Sequence, residues 1–336
     1  MASPWPASVA ATSPGLRSQP KRSGASGKFN ALSSACPRLG FYTARAMYAR
    51  THVPRRRRHA RRRRARRRLR RLAGHVFQRD SPVPTPRSRV ADAARRAGGP
   101  FPGIVLLHGC HGVAASTHEW ARWFTARGYV ALIVDSWGAR GMMEDCSPRS
   151  PDPPASERFD DVVGALRFLH GKPDVDRERI GVIGWSSGGA FAMSVVNGPS
   201  LARQRARGVT LPVPGFRAAV GVYPGGCFSL IGEQVVRPLL VLVGDADDWT
   251  PASVCVEMVA AMRSRGAPAS IVVYPDAVHY FDVEGQARTF LPDVANRNRP
   301  GGCCGATVGY DPSAAAAAHA RIAEFFGSHL GAPRQQ

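Results

Sequence analysis

The stretch Gly184-Trp185-Ser186-Ser187-Gly188-Gly189 sets two adjacent serines between glycines. A serine acts as a nucleophile when a base takes its proton and a sharp strand-to-helix turn holds its hydroxyl exposed. The flanking residues supply such a turn. Ile180, Val182 and Ile183 precede it and suit a strand, and Ala190, Ala192 and Met193 follow and suit a helix. In this geometry the nucleophile is strained, and the residues two before and two after it pack together, so both must be small. Ser186 has Gly184 and Gly188 at those places, whereas Ser187 has the bulky Trp185 on one side. Ser186 is the expected nucleophile. The competing reading is a glycine-rich turn with an incidental serine, so the partners decide.

Those partners are an imidazole to take the proton and a carboxylate to fix its tautomer. Downstream, "VLVGDADDWTP" carries Asp245, Asp247 and Asp248, and "VVYPDAVHYFD" carries His279, each after an apolar run of strand length. The order Ser, Asp, His is that of the α/β-hydrolases. Spacing alone leaves the three aspartates open.

The elements that must position these groups alternate regularly from about residue 100. Apolar strand-like runs occupy 102–109, 129–138, 216–225, 237–247 and 269–279, in addition to the run that enters the serine turn. Helix-like stretches occupy 117–128, 156–171, 251–265 and 311–330, the last capped by Asp311 or Ser313. Strands apolar throughout, each followed by a helix, predict an α/β fold with a doubly wound, mostly parallel sheet in a three-layer sandwich. Ligands of such sheets bind beyond the carboxyl ends of the strands, where the serine turn, the aspartates and His279 all fall.

With these positions fixed, "GWSSGG", "GDADDWTP" and "YPDAVHYFD" resemble the dienelactone hydrolase family of α/β-hydrolases, from about Gly99 to Leu330. The resemblance implies a hydrolase domain over 99–331. In that family the acid lies four residues before the proline of its loop, which selects Asp247, and a Phe follows the histidine after one residue, as Phe281 does. Two departures stand out. The founding enzymes have a cysteine nucleophile and a glutamate after an early strand, whereas here Ser186 and "LLHGCHG" stand at those places. The family also has further strands before "PGIVLLHG", and residues 76–98 show no pair of strands. The resemblance therefore implies a serine esterase-like branch.

Acyl transfer needs N–H donors for the developing oxyanion. The expected donors are the backbone N–H groups of Ser187, whose side chain is not needed for this, and of Cys110, whose thiol is incidental. A Cys110 nucleophile beside His108 and His111 is the weaker idea, since no elbow surrounds it. Trp137, Arg140, Met142, Met143, Tyr280 and Phe281 lie in the long loops 138–155 and 280–310 or at their borders, and are the pocket candidates. Arg140 is offered to a substrate carboxylate. No metal or organic cofactor is expected, and the partner is a small ester or lactone.

The formal charge of +22 is confined to one end. Residues 1–75 hold 20 Lys plus Arg and no Asp or Glu, which leaves 26 basic against 24 acidic residues in 76–336. Residues 55–72 contain 13 Arg in 18 positions. Self-repulsion predicts a disordered tail over 1–75. It reads as a solvated segment, a targeting segment, or sequence upstream of a start at Met47; nucleic acid would be met only through it. No secretory signal or apolar membrane span of about 18 residues is recognisable, and this favours the cytoplasm.

Seven cysteines without a C-x-x-C pair give no zinc spacing. Free thiols are expected in a reducing compartment. For an exported chain, Cys146 or Cys227 is expected to pair with Cys303 or Cys304, and the adjacent pair Cys303–Cys304 is not, because a vicinal bridge strains its peptide.

Two other functions compete. A serine peptidase of the prolyl-oligopeptidase kind shares the elbow but needs a large domain before it. A polyanion-binding protein working through the arginines would bind nucleic acid with a steep salt dependence.

Overall fold

The chain was analysed as a computed structural model, which describes residues 99–331 apart from 151–153, 300 and 302. The expected tail over 1–75 and the segment 76–98 lie outside the described residues. The described residues form eight strands: β1 (Phe101–Leu107), β2 (Val130–Val134), β3 (Val175–Trp185), β4 (Ala218–Val222), β5 (Leu239–Gly244), β6 (Ala269–Tyr274), β7 (Thr289–Leu291) and β8 (Ala306–Val308). The helices are α1 (Ala115–Thr125), α2 (Ala155–His170), α3 (Ser187–Ser194), α4 (Gly198–Ala206), α5 (Cys227–Leu230), α6 (Ala252–Ser264) and α7 (Pro312–Leu330).

The first six strands form one parallel sheet in the order β2-β1-β3-β4-β5-β6. β1, β3, β4 and β5 are hydrophobic on both faces because helices cover both. Val105, Leu107, Val182, Val241 and Val243 pack with Phe159 and Leu166 of α2, Met193 of α3 and Met258 of α6. The alternate residues Ile104, Leu106, Ile183, Val220 and Leu242 pack with Trp120 and Phe124 of α1 and Ile322 and Phe326 of α7. The period-2 alternation of strand side chains thus feeds two cores, which gives the expected three layers. α7 begins where Asp311 accepts a hydrogen bond from the Ala314 N–H at 2.8 Å, one of the two expected caps.

The chain runs outward from β1 to β2, then returns to the other side of β1 as β3. A crevice therefore opens between the carboxyl ends of β1 and β3, where loops leave in opposite directions. The loop after β1 and the serine turn after β3 both emerge there.

Two expectations change above this edge. The segment 280–310 holds the antiparallel pair β7–β8, and Val308 also bridges to His279. Ala306 and Val308 are buried with Cys110, Cys146, Trp249 and Val294 in a third small cluster, and this burial orders a stretch that reads as loop. The cysteine pairing also differs: the disulfides are Cys110–Cys146, Cys227–Cys255 and the vicinal Cys303–Cys304. The Asp145 N–H donates to the Cys110 carbonyl at 2.9 Å, which lays Cys146 beside Cys110 rather than beside residues 303 and 304. Cys227 at the start of α5 meets Cys255 of α6, a residue that reads as helix core in the sequence.

Candidate active site

The serine turn is a strained elbow. Ser186 has φ 51° and ψ −118°, a conformation that L-residues rarely adopt. Its N–H donates to the Val222 carbonyl at 3.0 Å, and its own carbonyl accepts from Gly225 N–H at 3.0 Å. A Cβ at Gly184 would collide with the Gly188 backbone, so the glycine two before the serine is required by close approach. Ser186 is 6% exposed.

The Asp247 and His279 side chains meet directly. Asp247 Oδ2 lies 2.7 Å from His279 Nδ1, with both side chains buried. The other carboxylate oxygen accepts the backbone N–H groups of Trp249 and Thr250, each at 2.8 Å. Thr250 Oγ1 sits 2.9 Å from Asp247 Oδ2 and 3.2 Å from His279 Nδ1. Burial pushes the Asp247 carboxyl up, but the charge and hydrogen bond of His279 and the Thr250 bonds outweigh it and hold the group below its ordinary range. With Nδ1 engaged, His279 Nε2 is buried and has no hydrogen-bond partner among the described residues. No hydrogen bond joins Ser186 to His279.

Asp245 and Asp248 do other work. Asp245 accepts the Asp276 N–H at 2.6 Å. Asp248 receives Arg299 at 2.6 Å and the Thr307 N–H at 2.7 Å, which ties β8 to the acid loop.

The Cys110 and Ser187 N–H groups donate to no protein acceptor among the described residues. The peptide carrying the Cys110 N–H is held by His108. Its Nε2 accepts the Ser136 N–H at 3.1 Å, so the ring proton is on Nδ1 and is donated to the Gly109 carbonyl at 2.7 Å. Burial first, then the charge of Arg158, lowers His108 to about 4, so the ring is neutral at ordinary pH. Cys110 itself is bonded to Cys146, so neither sulfur is a free thiol, and the close grouping of Cys110, His111 and Cys146 offers no thiolate to a metal.

The pocket candidates fall in two groups. Tyr280, with φ 65°, hydrogen-bonds His111 Nδ1 through its hydroxyl at 2.6 Å beside Trp249. Met143 is exposed. Trp137, however, is buried and donates its indole N–H to the Cys110 carbonyl at 2.9 Å. Phe281 is fully buried between Tyr223 and Tyr274. Arg140 is engaged by Glu157 at 2.9 Å and Asp161 at 2.8 Å, which satisfies the guanidinium within the fold.

Sequence reasoning missed three supporting groups. Tyr223, at φ 35°, lays its ring 4.4 Å from that of His279. Its hydroxyl donates to Asp282 at 2.7 Å, and the same carboxylate receives the indole N–H groups of Trp120 at 2.9 Å and Trp185 at 2.7 Å. Arg158 of α2 is buried and donates to Ser187 Oγ at 2.9 Å and to the His108 carbonyl at 2.7 Å. An arginine and an aspartate inside apolar stretches were the available signals, since charges in core periodicity need a reason.

A doubly wound parallel sheet with a strained elbow and an Asp–His pair at its carboxyl edge has the architecture of an α/β-hydrolase. Residues 89–330 match the pattern of the Dienelactone hydrolase family, and the chain belongs to that family of hydrolases. It is 25% identical over 230 residues to the "Putative carboxymethylenebutenolidase" of Methylorubrum extorquens, across 63% of this chain and 73% of that protein. It is 26% identical over 215 residues to acylamino-acid-releasing enzyme 2 of rice (Oryza sativa subsp. japonica), across 54% of this chain and 28% of that enzyme. The chain thus spans well under half of the rice enzyme's length. Among solved structures, the esterase Est2 of Thermogutta terrifontis superposes with a TM-score of 0.48 at 18% identity, over 70% of this chain and 85% of that one. No described helix is long and apolar enough to cross a membrane.

Proposed function

We propose that this protein is a serine hydrolase that cleaves a carboxylic ester or lactone through Ser186, His279 and Asp247. The observation that carries the reading is the buried Asp247–His279 pair, whose Nε2 is left without a partner at the edge where the Ser186 elbow emerges. Asp247 keeps the proton on Nδ1, so Nε2 is the basic atom. Nε2 takes the Ser186 proton as Oγ attacks the substrate carbonyl. The N–H groups of Cys110 and Ser187 receive the oxyanion, each contributing roughly 3 kcal/mol. Nε2–H then protonates the leaving alkoxide, and water activated by the same nitrogen releases the acid. Tyr280, His111 and Trp249 form the polar and aromatic rim that meets the substrate. The carboxymethylenebutenolidase is a lactone hydrolase by its name, which supports this class, whereas the rice enzyme is named for release of an acylated amino acid, which corresponds to the peptidase alternative.

The test is turnover of p-nitrophenyl esters, simple lactones and an acyl-alanine p-nitroanilide by the full chain. Ester or lactone turnover is expected, with Ser186→Ala abolishing it and covalent labelling by a fluorophosphonate, and with Ser187→Ala still labelled. Labelling that persists in Ser186→Ala and disappears in Ser187→Ala overturns the elbow assignment. Preferential cleavage of the anilide shifts the reading to a peptidase.

A further inference from the structure

We infer that Arg158 is a positioning residue that holds the two halves of the oxyanion hole in register; the inference rests on the serine hydrolase reading above.

The two N–H groups come from separate segments, one after β1 and one after β3. The ladder between these strands ends at Leu107 opposite Gly184. Beyond it, no backbone hydrogen bond joins residues 109–112 to 186–190 among the described residues. Gly188 packs closely against the Leu107 and His108 carbonyls, and the hydrogen-bonded link between the two segments runs through one side chain, Arg158. One arm of the Arg158 guanidinium donates to Ser187 Oγ and the other to the His108 carbonyl. His108 in turn grips the Gly109 carbonyl, whose peptide carries the Cys110 N–H. The fork geometry of a guanidinium suits this task, since one rigid plane fixes two acceptors at a set separation.

The position of Arg158 argues against an incidental packing role. It is 5% exposed and lies in the first turn of α2, where burial and the positive end of the helix dipole both disfavour a cation. The charge is retained by the faces of Trp137 at 4.6 Å and Phe191 at 4.8 Å and by the fields of Asp145 and Asp161. A neutral residue would fill this space at less expense, were its only duty to fill it. The placement also gives the Ser187 side chain a role besides the N–H donation for which it is not needed: it receives the clamp.

The experiment compares the full-length parent with Arg158→Gln, Arg158→Lys and Ser187→Ala on one p-nitrophenyl ester. Active sites are counted by the end point of fluorophosphonate labelling. A trifluoromethyl ketone matching the acyl group serves as probe of the oxyanion hole, because its adduct with a serine carries the oxyanion. In Arg158→Gln, kcat per labelled site is expected to fall about 100-fold, with ketone inhibition weakened in parallel. KM should stay within about threefold, because the lost contact matters only once the oxyanion forms. Arg158→Lys should recover part of the loss, since its point charge reaches one acceptor and not both. Ser187→Ala, which removes one arm of the clamp, should lose roughly tenfold. Parental kcat per labelled site and parental ketone inhibition in Arg158→Gln, with only a lower Tm or fewer labelled sites, overturn the inference. If Arg158→Gln does not fold, Ser187→Ala decides: an unchanged per-site kcat there overturns it equally. A parent chain that neither labels nor hydrolyses esters overturns the hydrolase reading itself, which is a different failure.

Discussion

The two walls of the candidate site are built by different means. The Ser186 wall is made of backbone: a strained φ, two glycines that allow close approach, and hydrogen bonds from Ser186 and Gly225 to main-chain groups. The His279 wall is made of side chains from distant segments: Asp247 and Thr250 after β5, Tyr223 after β4, and Asp282 with the indoles of Trp120 and Trp185 behind it. Backbone geometry is set by which small residues sit next to one another. A side-chain network exists only once the whole sheet has assembled. The turn of the first wall should therefore hold its shape under polar changes that leave its glycines and the Arg158 contacts in place, and the second wall should fail one hydrogen bond at a time.

The largest expected effect lies in the second wall. Asp247→Asn should lower kcat about ten-thousand-fold with the fold intact, because the imidazole loses the acceptor that fixes its tautomer. Asp245→Asn and Asp248→Asn should change kcat far less, although Asp248→Asn should lower Tm by loosening Arg299 and Thr307. Steady-state kinetics with thermal melts of the three variants separates the roles. A crippled Asp245→Asn with a healthy Asp247→Asn would reassign the acid.

Next comes the carboxylate behind Tyr223. Asp282 accepts three neutral donors, and an Asn there turns one end from acceptor to donor. Asp282→Asn should cost about 2–4 kcal/mol by urea denaturation, since a buried donor is left unmatched. It should also lower kcat as Tyr223 is released from its place against His279. Unchanged stability would show that the network is slack.

The backbone wall has its own sensitivity, to pH. His108 has a folded pKa of about 4 against an ordinary 6.5, so between those values the unfolded chain binds the extra proton. Its contribution is present above pH 6.5 and is lost as pH falls toward 4, by about 3 kcal/mol. Melting temperatures at pH 7 and pH 4.5 should show the drop, and His108→Gln should flatten it. Smallest of all, Tyr280→Phe removes only the bond to the exposed His111. Its kcat/KM for an ester should move by no more than about threefold; a much larger change would place that hydroxyl on the substrate.

The same division explains what the sequence discloses. Gly184, Ser186 and Gly188 lie within five residues, so local sterics identify the elbow, and unbroken apolar runs identify the parallel sheet. The order of motifs narrows the acid to three aspartates, and the resemblance to a family selects the one that the structure pairs with His279. Arg158, Tyr223 and Asp282 were illegible because their partners are 29 to 162 residues away and no local pattern links them. Arg140 and Phe281 were misjudged for the related reason that loop membership says nothing about which face a side chain takes. The Cys110–Cys146 pair followed suit: it accompanies the Asp145–Cys110 backbone contact, which is invisible before folding.

The four successive residues from His279 to Asp282 each face a different neighbour: the acid, the rim, the core and the buried indoles. Such crowding makes this short segment incompressible in an evolutionary sense. Most connections at the surface of a domain absorb a gained or lost residue without harm. Here a single deletion between β6 and Asp282 would rotate all four assignments at once, and no compensating point mutation could restore them together. Length variation among homologues should accordingly be displaced into the stretch between β7 and β8, leaving the spacing from Tyr274 to Asp282 constant.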